Sequence, residues 1–399
     1  MELLQQSPHD PAFVQNPYAL YARVLAGDPV RFWEDFGMMA VFDAATIQAL
    51  LRDRRLGRAL PPGQNRPAPD HLRAFDALEQ HSMLDLEPPR HTRLRGLVLR
   101  AFTSRRIRGL EPDIREISAD LLSALPDDPF DLLPAFCTGL PVRVIARLLG
   151  VPEEMAPELL AWSNRMVAMY QAGRTRDTEE AANTAAAEFT AFLSAHIEER
   201  RHTPGNDLIT ELIAAEDDGA KLSRDEMIST CILLLNAGHE ATVHTLGNAV
   251  KTLLENKTPR AALTDSHIAA TVEEILRYDP PLHIFTRYAY EDVCVGGHTL
   301  RAGEEVALVL GSAGRDPARA ARPDLFDPFR APGPHAAFGG GLHFCVGAPL
   351  ARLELQTGLR MLFEACPQLS LAAQPHYADT YHFHGLSSLM VTCGSRAGL

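Results

Sequence analysis

The feature that most constrains this chain is one very long helix. "SRDE" at 223–226 matches the S-x-x-E capping box, with Ser223 as N-cap and Glu226 reaching back to it. From there the helical pattern runs to about Glu255. At 1.5 Å per residue that is roughly 48 Å. Its middle, CILLLNAG, is apolar on nearly all sides and should be buried on all sides. A helix this long and this buried is a central rod, and the rest of the chain must be built around it. Gly238 stands in its middle at a cost of about 1 kcal/mol relative to Ala. Two causes would justify it: a close crossing by another helix, or a large flat partner that leaves no room for side chains.

Most of the remainder also reads as helix. Residues 104–125, 141–150, 153–170, 178–201, 265–278 and 348–365 carry helical apolar spacing. Strand-like pieces are fewer: VRFWED, GMMAVF, the 287–311 stretch broken by Gly-Gly and Ala-Gly turns, and GLSSLMVTCG. Pro-rich loops occur at 61–69 and 323–334, with no repeat, low-complexity tract or long linker. The expectation is a single, mainly α unit over 1–399, with small β parts near 28–43, 287–311 and 385–394.

Length and composition exclude several classes. A chain of 399 residues, 46% hydrophobic, can bury a large core. A net charge of −13 argues against nucleic acid as partner. No apolar run reaches membrane-spanning length, and the N-terminus lacks a signal-peptide pattern, so no membrane anchor is expected. The six cysteines (137, 231, 294, 345, 366 and 393) are scattered without a C-x-x-C pair, which argues against zinc ribbons and a disulfide scaffold. A soluble cytoplasmic protein is the simplest expectation.

The rod also carries a decoy. HEATVH at 239–244 looks like the zinc-protease motif H-E-x-x-H, but that motif needs histidines at i and i+4. His239 and His244 are i and i+5, about 140° apart around the helix, and cannot clasp one metal.

The chemistry concentrates in FGGGLHFCVGAPLAR, residues 338–352. A free Cys is usually a small buried hydrophobe. Around Cys345, however, Gly339, Gly340, Gly341 and Gly347 let backbone N–H groups approach closely. A helix starting near Ala348, with Pro349 in its first turn, points its positive end at the sulfur. Both features favour thiolate over thiol. His343 would suit a nucleophile's base, but the apolar Phe338, Phe344 and Val346 suit an axial haem ligand better.

This stretch resembles the haem-binding signature of the cytochrome P450 family, F-G-x-G-x-H-x-C-x-G followed by L-A-R. Phe338, Gly339, Gly341, His343, Cys345 and Gly347 fill its defined positions, and Leu350, Ala351 and Arg352 complete it. Other segments are similar to the same family over nearly the whole chain. Glu274 and Arg277 in EEILR resemble its E-x-x-R pair, and i,i+3 spacing puts both on one helix face. EPPRHTRLRGLV implies haem-propionate contacts for His91 and Arg95, and HIFTRYA implies one for Arg287. His343 resembles a further contact. The resemblance implies the P450 fold, with the long helix over the haem, Cys345 as axial iron ligand and haem b (iron protoporphyrin IX) as cofactor. It is closest to the soluble bacterial members.

AGHEAT, Ala237 to Thr242, resembles the family's oxygen-activating motif with one departure. There Thr directly follows the acid, whereas here Glu240 is followed by Ala241. Thr242 lies about 100° further round and cannot take the same place. Ordered water bridging from Glu240, water held by Thr242, or a substrate hydroxyl would replace the missing group. Glu240 is either the proton relay or a structural acid paired with a neighbouring cation.

Family position implies pocket walls at Met83, Met166, Met169, Tyr170, Leu233, Asn236, Ala237, Leu282, Ile284, Phe285 and Phe383. Most are apolar, as a site for a hydrophobic small molecule would be. Asn236 would meet either a polar substrate group or a neighbouring backbone. The chain has no flavin or iron–sulfur signature, so the resemblance implies electrons from a ferredoxin and its ferredoxin reductase. The docking face would carry Arg93, Arg100, Arg105, Arg106 and Arg352. The expected activity is insertion of one atom of O2 into a hydrophobic small molecule. The alternatives are a peroxide-driven haem oxygenase and a non-catalytic haem sensor or ligand carrier.

Overall fold

A computed structural model describes residues 1–61, 63–64, 67–171, 174–215, 221–380 and 383–394. The Pro-rich loop expected at 61–69 lies partly outside the described residues. The helices are α1 (Pro11–Gln15), α2 (Tyr18–Leu25), α3 (Ala44–Leu50), α4 (Arg73–Glu79), α5 (Arg90–Ala101), α6 (Ser104–Gly109), α7 (Glu111–Ser123), α8 (Gly139–Leu149), α9 (Ala156–Val167), α10 (Arg176–His202), α11 (Leu208–Ala214), α12 (Arg224–Glu255), α13 (Ile268–Tyr278), α14 (Leu310–Ala313) and α15 (Ala348–Ala365).

The rod is α12. Its capping box closes as read: Glu226 N–H donates to Ser223 Oγ at 3.2 Å, and Ser223 N–H to the Glu226 carboxylate at 3.0 Å. α8, α9, α10 and α15 all pack on it. Gly238 is explained by the first of these: a Cβ there would sit 3.2 Å from Ile145 of α8. The close helix crossing thus favours a small residue at this position.

The single helix expected over 104–125 is two, α6 and α7. Pro112 lies in the first turn of α7, where its missing N–H costs nothing, and it prevents continuation from α6. The stretch expected as helix over 153–170 keeps only Ala156–Val167 as α-helix, flanked by 3-10 turns at Glu153–Met155 and Ala168–Tyr170. VRFWED is strand only to Trp33 and then turns into a 3-10 segment.

The β part is built mostly from β1 (Glu2–Leu4), β2 (Val30–Trp33), β3 (Met38–Val41), β4 (Leu56–Gly57), β5 (Phe130–Asp131), β6 (Ile284–Ala289), β7 (Val293–Val295), β8 (His298–Leu300) and β9 (Glu305–Val309). Six of these form one sheet in the order β1-β2-β3-β9-β6-β4. β3 and β9 run parallel, and β6 pairs antiparallel with β9, setting Arg287 opposite Val306. Near the C-terminus lie β10 (Ser370–Leu371), β11 (His376–Tyr377), β12 (Leu386–Ser388) and β13 (Met390–Thr392). β13 joins β10 and β5 in a three-stranded sheet. A Cys366–Cys393 disulfide pins this end of the chain to the end of α15. A separation of 27 residues gave no motif from which to read that bridge.

A buried polar cluster ties α2 to α13 and the C-terminal segment. Asp279 accepts hydrogen bonds from the hydroxyls of Tyr18 and Tyr377, and Tyr21 bonds His283 at 2.9 Å. No described helix is long and apolar enough to cross a membrane.

Candidate active site

The cysteine loop follows a short 3-10 turn, Gly341–His343, and leads into α15. Gly341 has φ +66°, and a Cβ there would lie 2.0 Å from the Leu51 carbonyl oxygen, so only glycine fits. Cys345 N–H donates to the Phe338 carbonyl at 3.0 Å, closing the loop on itself. Backbone N–H groups of Gly347 and Ala348 then face the sulfur.

Cys345 is open to a small probe, yet its sulfur is surrounded by protein. Burial pushes its thiol up, while the two N–H groups and the guanidiniums of Arg95 and Arg352 pull down; the net direction is upward. A bound cation facing the sulfur would favour the thiolate further.

The rod shows an unusual stripe. Ala237 is exposed, and Leu233, Glu240, Ala241 and His244 are half-buried, in a helix whose other residues near there are mostly buried. These positions are three, four or seven apart and share a face. Asn236 and Thr242 lie beside the stripe and are buried.

Cations gather at one edge. Arg287 on β6 is 3% exposed and bonds only the neighbouring Thr286 carbonyl, at 2.7 Å. No carboxylate among the described residues comes within ion-pair distance of it. Burial, then the charge of Arg58, pushes it down to about 10. His91 on α5 is buried and its Nδ1 has no hydrogen-bond partner. Burial and the charges of His343 and Arg95 hold it at about 4, so it is neutral near pH 7. Arg95 donates to the Phe344 carbonyl at 2.7 Å, linking α5 to the cysteine loop.

His343 sits beside Glu87. Its Nε2 lies 2.9 Å from Glu87, which also accepts the Arg58 N–H at 2.7 Å. His343 is therefore already satisfied by an acid. The sequence reading gave no role to Glu87, although it opens the EPPRHTRLRGLV segment, or to Arg58, which lies in no quoted motif. Arg58 also pairs with Asp85 at 3.1 Å and lies over the Phe285 ring.

Glu240 is paired as well. Its Oε1 lies 3.2 Å from His244 Nε2. Burial pushes the carboxyl up, but the His244 bond and the His239 and His244 charges outweigh it and hold it low. His244, considered above only as part of a failed metal motif, is thus a site residue that one-turn spacing from Glu240 could have flagged.

Met83, Met166 and Met169 are buried in the main core, on which Leu233 also packs. Asn236 meets no neighbouring backbone: its amide approaches the Met166 sulfur at 3.9 Å and its Oδ1 has no partner. Leu282 and Phe383 form an isolated β-bridge. Phe285 packs against Gly339 of the cysteine loop. Ile284 does not join them; it belongs to the second core around Trp33, because alternation along β6 turns it to the other face. The basic docking face is also reduced. Arg93 pairs with Glu226, Arg106 with Glu211, and Arg352 with Glu273.

Glu274 and Arg277 form a buried bidentate pair with contacts of 2.7 and 2.8 Å. Arg277 also donates to the carbonyls of Gly314, Pro323 and Leu325, and Arg330 and the Asp327 N–H both reach Glu274. The pair fastens α13 to the segment that leads to the cysteine loop.

Comparison with known proteins agrees with this geometry. The family model described as Cytochrome P450 matches residues 267–374. The chain is 35% identical to "Polyketide biosynthesis cytochrome P450 PksS" of Bacillus subtilis (strain 168), covering 98% of this chain and 99% of that one. It is 38% identical to "Vitamin D(3) 25-hydroxylase" of Pseudonocardia autotrophica, covering 96% of both. Among solved structures, P450BioI in complex with an acyl carrier protein ligated to hexadec-9Z-enoic acid superposes with a TM-score of 0.89 at 33% identity. It covers 96% of this chain and 99% of its own.

Proposed function

Since the chain belongs to the cytochrome P450 family of monooxygenases, we propose that it inserts one atom of O2 into a hydrophobic small molecule, with Cys345 as iron ligand and haem b as cofactor. One observation supports this most strongly: Arg287 is a buried guanidinium without an acidic partner. A buried charge left unpaired is costly, and a cofactor carboxylate would relieve it. His91 Nδ1 is a second unfilled position at the same group of residues, and Arg95 adds a charge. The donor set fits a flat group with two carboxylates at one edge and a thiolate ligand on one face.

Bound haem supplies the oxygen-activating iron, and the thiolate favours O–O cleavage. The protein's residues do the rest. Gly347 and Ala348 N–H groups steady the sulfur charge. Arg287, Arg95 and His91 would hold the propionates, while His343 fixes Glu87 and the loop. Glu240 holds and releases protons at its carboxylate, the role that Ala241 cannot share. The apolar residues around Met83, Met166 and Leu233 exclude water and select substrate.

We place the substrate among bulky hydrophobic molecules of the polyketide or steroid kind, following the names of the relatives, and the electron source in a ferredoxin with its reductase. We place the reaction in the cytoplasm. The acid at 240 favours O2 chemistry over peroxide, since proton delivery is needed only for the former.

The test is the spectrum of the purified protein. A thiolate-type Soret shift of the reduced carbon monoxide form supports the reading, as does a spin-state shift on adding one polyketide or steroid from a panel. Absence of haem after reconstitution would falsify the assignment of Cys345. Turnover with peroxide but not with ferredoxin, reductase and NAD(P)H would move the protein to the peroxide-driven class.

A further inference from the structure

Glu240 has a built-in neighbour that the family pattern does not require. His244 lies one turn on, with Nε2 3.2 Å from Glu240 Oε1. Its other edge is seated by a glycine. A Cβ at Gly385 would lie 1.9 Å from His244 Nδ1, so any side chain there would displace the ring. The Phe383 ring packs on the imidazole with centroids 5.4 Å apart. The imidazole is thus held between Glu240 and the 383–385 segment, on the accessible stripe of α12.

No side-chain hydroxyl on the next turn takes this place. Ala241 has none, and the Thr245 hydroxyl is committed to the Ala241 carbonyl at 2.6 Å. The other titratable groups facing the pair are His239 on α12 and His384 on the 383–385 segment. Both are buried, and burial holds them at about 4 and about 3, so both are neutral near pH 7. His244 alone of the three histidines is half-exposed.

We propose that His244 is a second proton carrier in the oxygenation reaction, reloading Glu240 after each proton it delivers. The proposal rests on the reading of Glu240 given above. In the step, the N–H bond at Nε2 of the His244 imidazolium breaks and an O–H bond forms at Glu240 Oε1. A neutral imidazole and a carboxylic acid result. Glu240 passes that proton to water on the substrate side and returns to carboxylate, and His244 takes a new proton from solvent water. No electron moves, and each pass carries one proton inward. Two passes supply the two protons that reduction of one O2 atom to water consumes. An imidazole suits this because one ring nitrogen can give a proton while the other takes one.

The experiment uses the haem-loaded enzyme and three variants, His244→Asn, Gly385→Ala and Glu240→Gln. His244→Asn keeps an N–H donor but cannot carry a proton. Gly385→Ala keeps the imidazole but displaces it. Two quantities are read: the infrared titration of the Glu240 carboxyl in the resting enzyme, assigned by its absence in Glu240→Gln, and product formed per reducing equivalent in H2O and D2O. We expect His244→Asn and Gly385→Ala to move Glu240 protonation to higher pH, to lower product yield per electron by about tenfold or more, and to raise the solvent isotope effect. Wild-type yield and isotope effect in both variants would overturn the proposal while leaving Glu240 in place. Wild-type yield in Glu240→Gln would instead overturn the Glu240 reading itself.

Discussion

Replacing Glu274 by Leu tests how the cysteine loop is held. The carboxylate is 3% exposed and accepts four hydrogen bonds: two from Arg277, one from Arg330 and one from the Asp327 N–H. Hydrogen bonds to a charged group are worth about 1.5–3 kcal/mol each, but they are not additive within one network. The better guide is the charge left behind. Arg277 would remain buried, bonded to three carbonyls but to no anion. Breaking a buried pair from one side costs about 3–5 kcal/mol. That is a large share of the roughly 5–15 kcal/mol of a folded domain. The assay is urea unfolding followed by tryptophan fluorescence and, separately, by haem release. We expect Glu274→Leu to lower the midpoint by that amount and to release haem earlier than it unfolds the rest. Glu274→Leu with Arg277→Met should recover more than half of the loss, since it removes the orphaned charge. A single-variant cost below about 1 kcal/mol, or a double-variant cost equal to the sum of the singles, would refute the reasoning.

Glu273 gives a pH dependence. Burial pushes its carboxyl up, but bonds from His335 and Arg352 outweigh this and hold it at about 2. A depressed carboxyl stabilises the fold above its unfolded value near 4.3, and the stabilisation is lost as pH falls toward 2. Wild type should therefore lose more denaturant resistance between pH 6 and pH 3 than Glu273→Gln; equal losses would remove Glu273 from the account. Arg287→Leu should act in opposite directions on two measurements. It should stabilise the haem-free chain by removing an unpaired buried charge, and speed haem loss by roughly 10–100-fold, the worth of one charge-assisted hydrogen bond. Transfer of haem to an apoprotein acceptor measures the second. Cys345→Ser should abolish the thiolate-type spectrum and leave the far-UV circular dichroism unchanged, because the loop's N–H to Phe338 bond uses backbone alone.

Much of this protein is written locally. The capping box and apolar run of 223–255 specify the rod, because each element of that signal lies within a few residues of the next. The start of α15 is local for the same reason, with Pro349 in its first turn, whereas the demand for glycine at 341 comes from the distant Leu51 carbonyl. α5 was missed: Leu94, Leu97, Val98 and Ala101 stand at helical spacing, but its arginines mask the apolar face. What the sequence could not carry is the set of pairings between distant segments. Glu87 with His343, Arg352 with Glu273 and Cys366 with Cys393 each join residues that no local pattern relates. The same holds for energies. Dipoles read along the chain pull the Cys345 thiol down, whereas burial, a property of the whole fold, pushes it up. The sequence alone pointed to Cys345, Glu240 and the Glu274–Arg277 pair as candidates, because motif and helix geometry are short-range. The tertiary structure decided which charges are paired, which are left waiting, and that His244 faces Glu240 across a seat cut by Gly385, because desolvation and contact depend on everything that packs around a group.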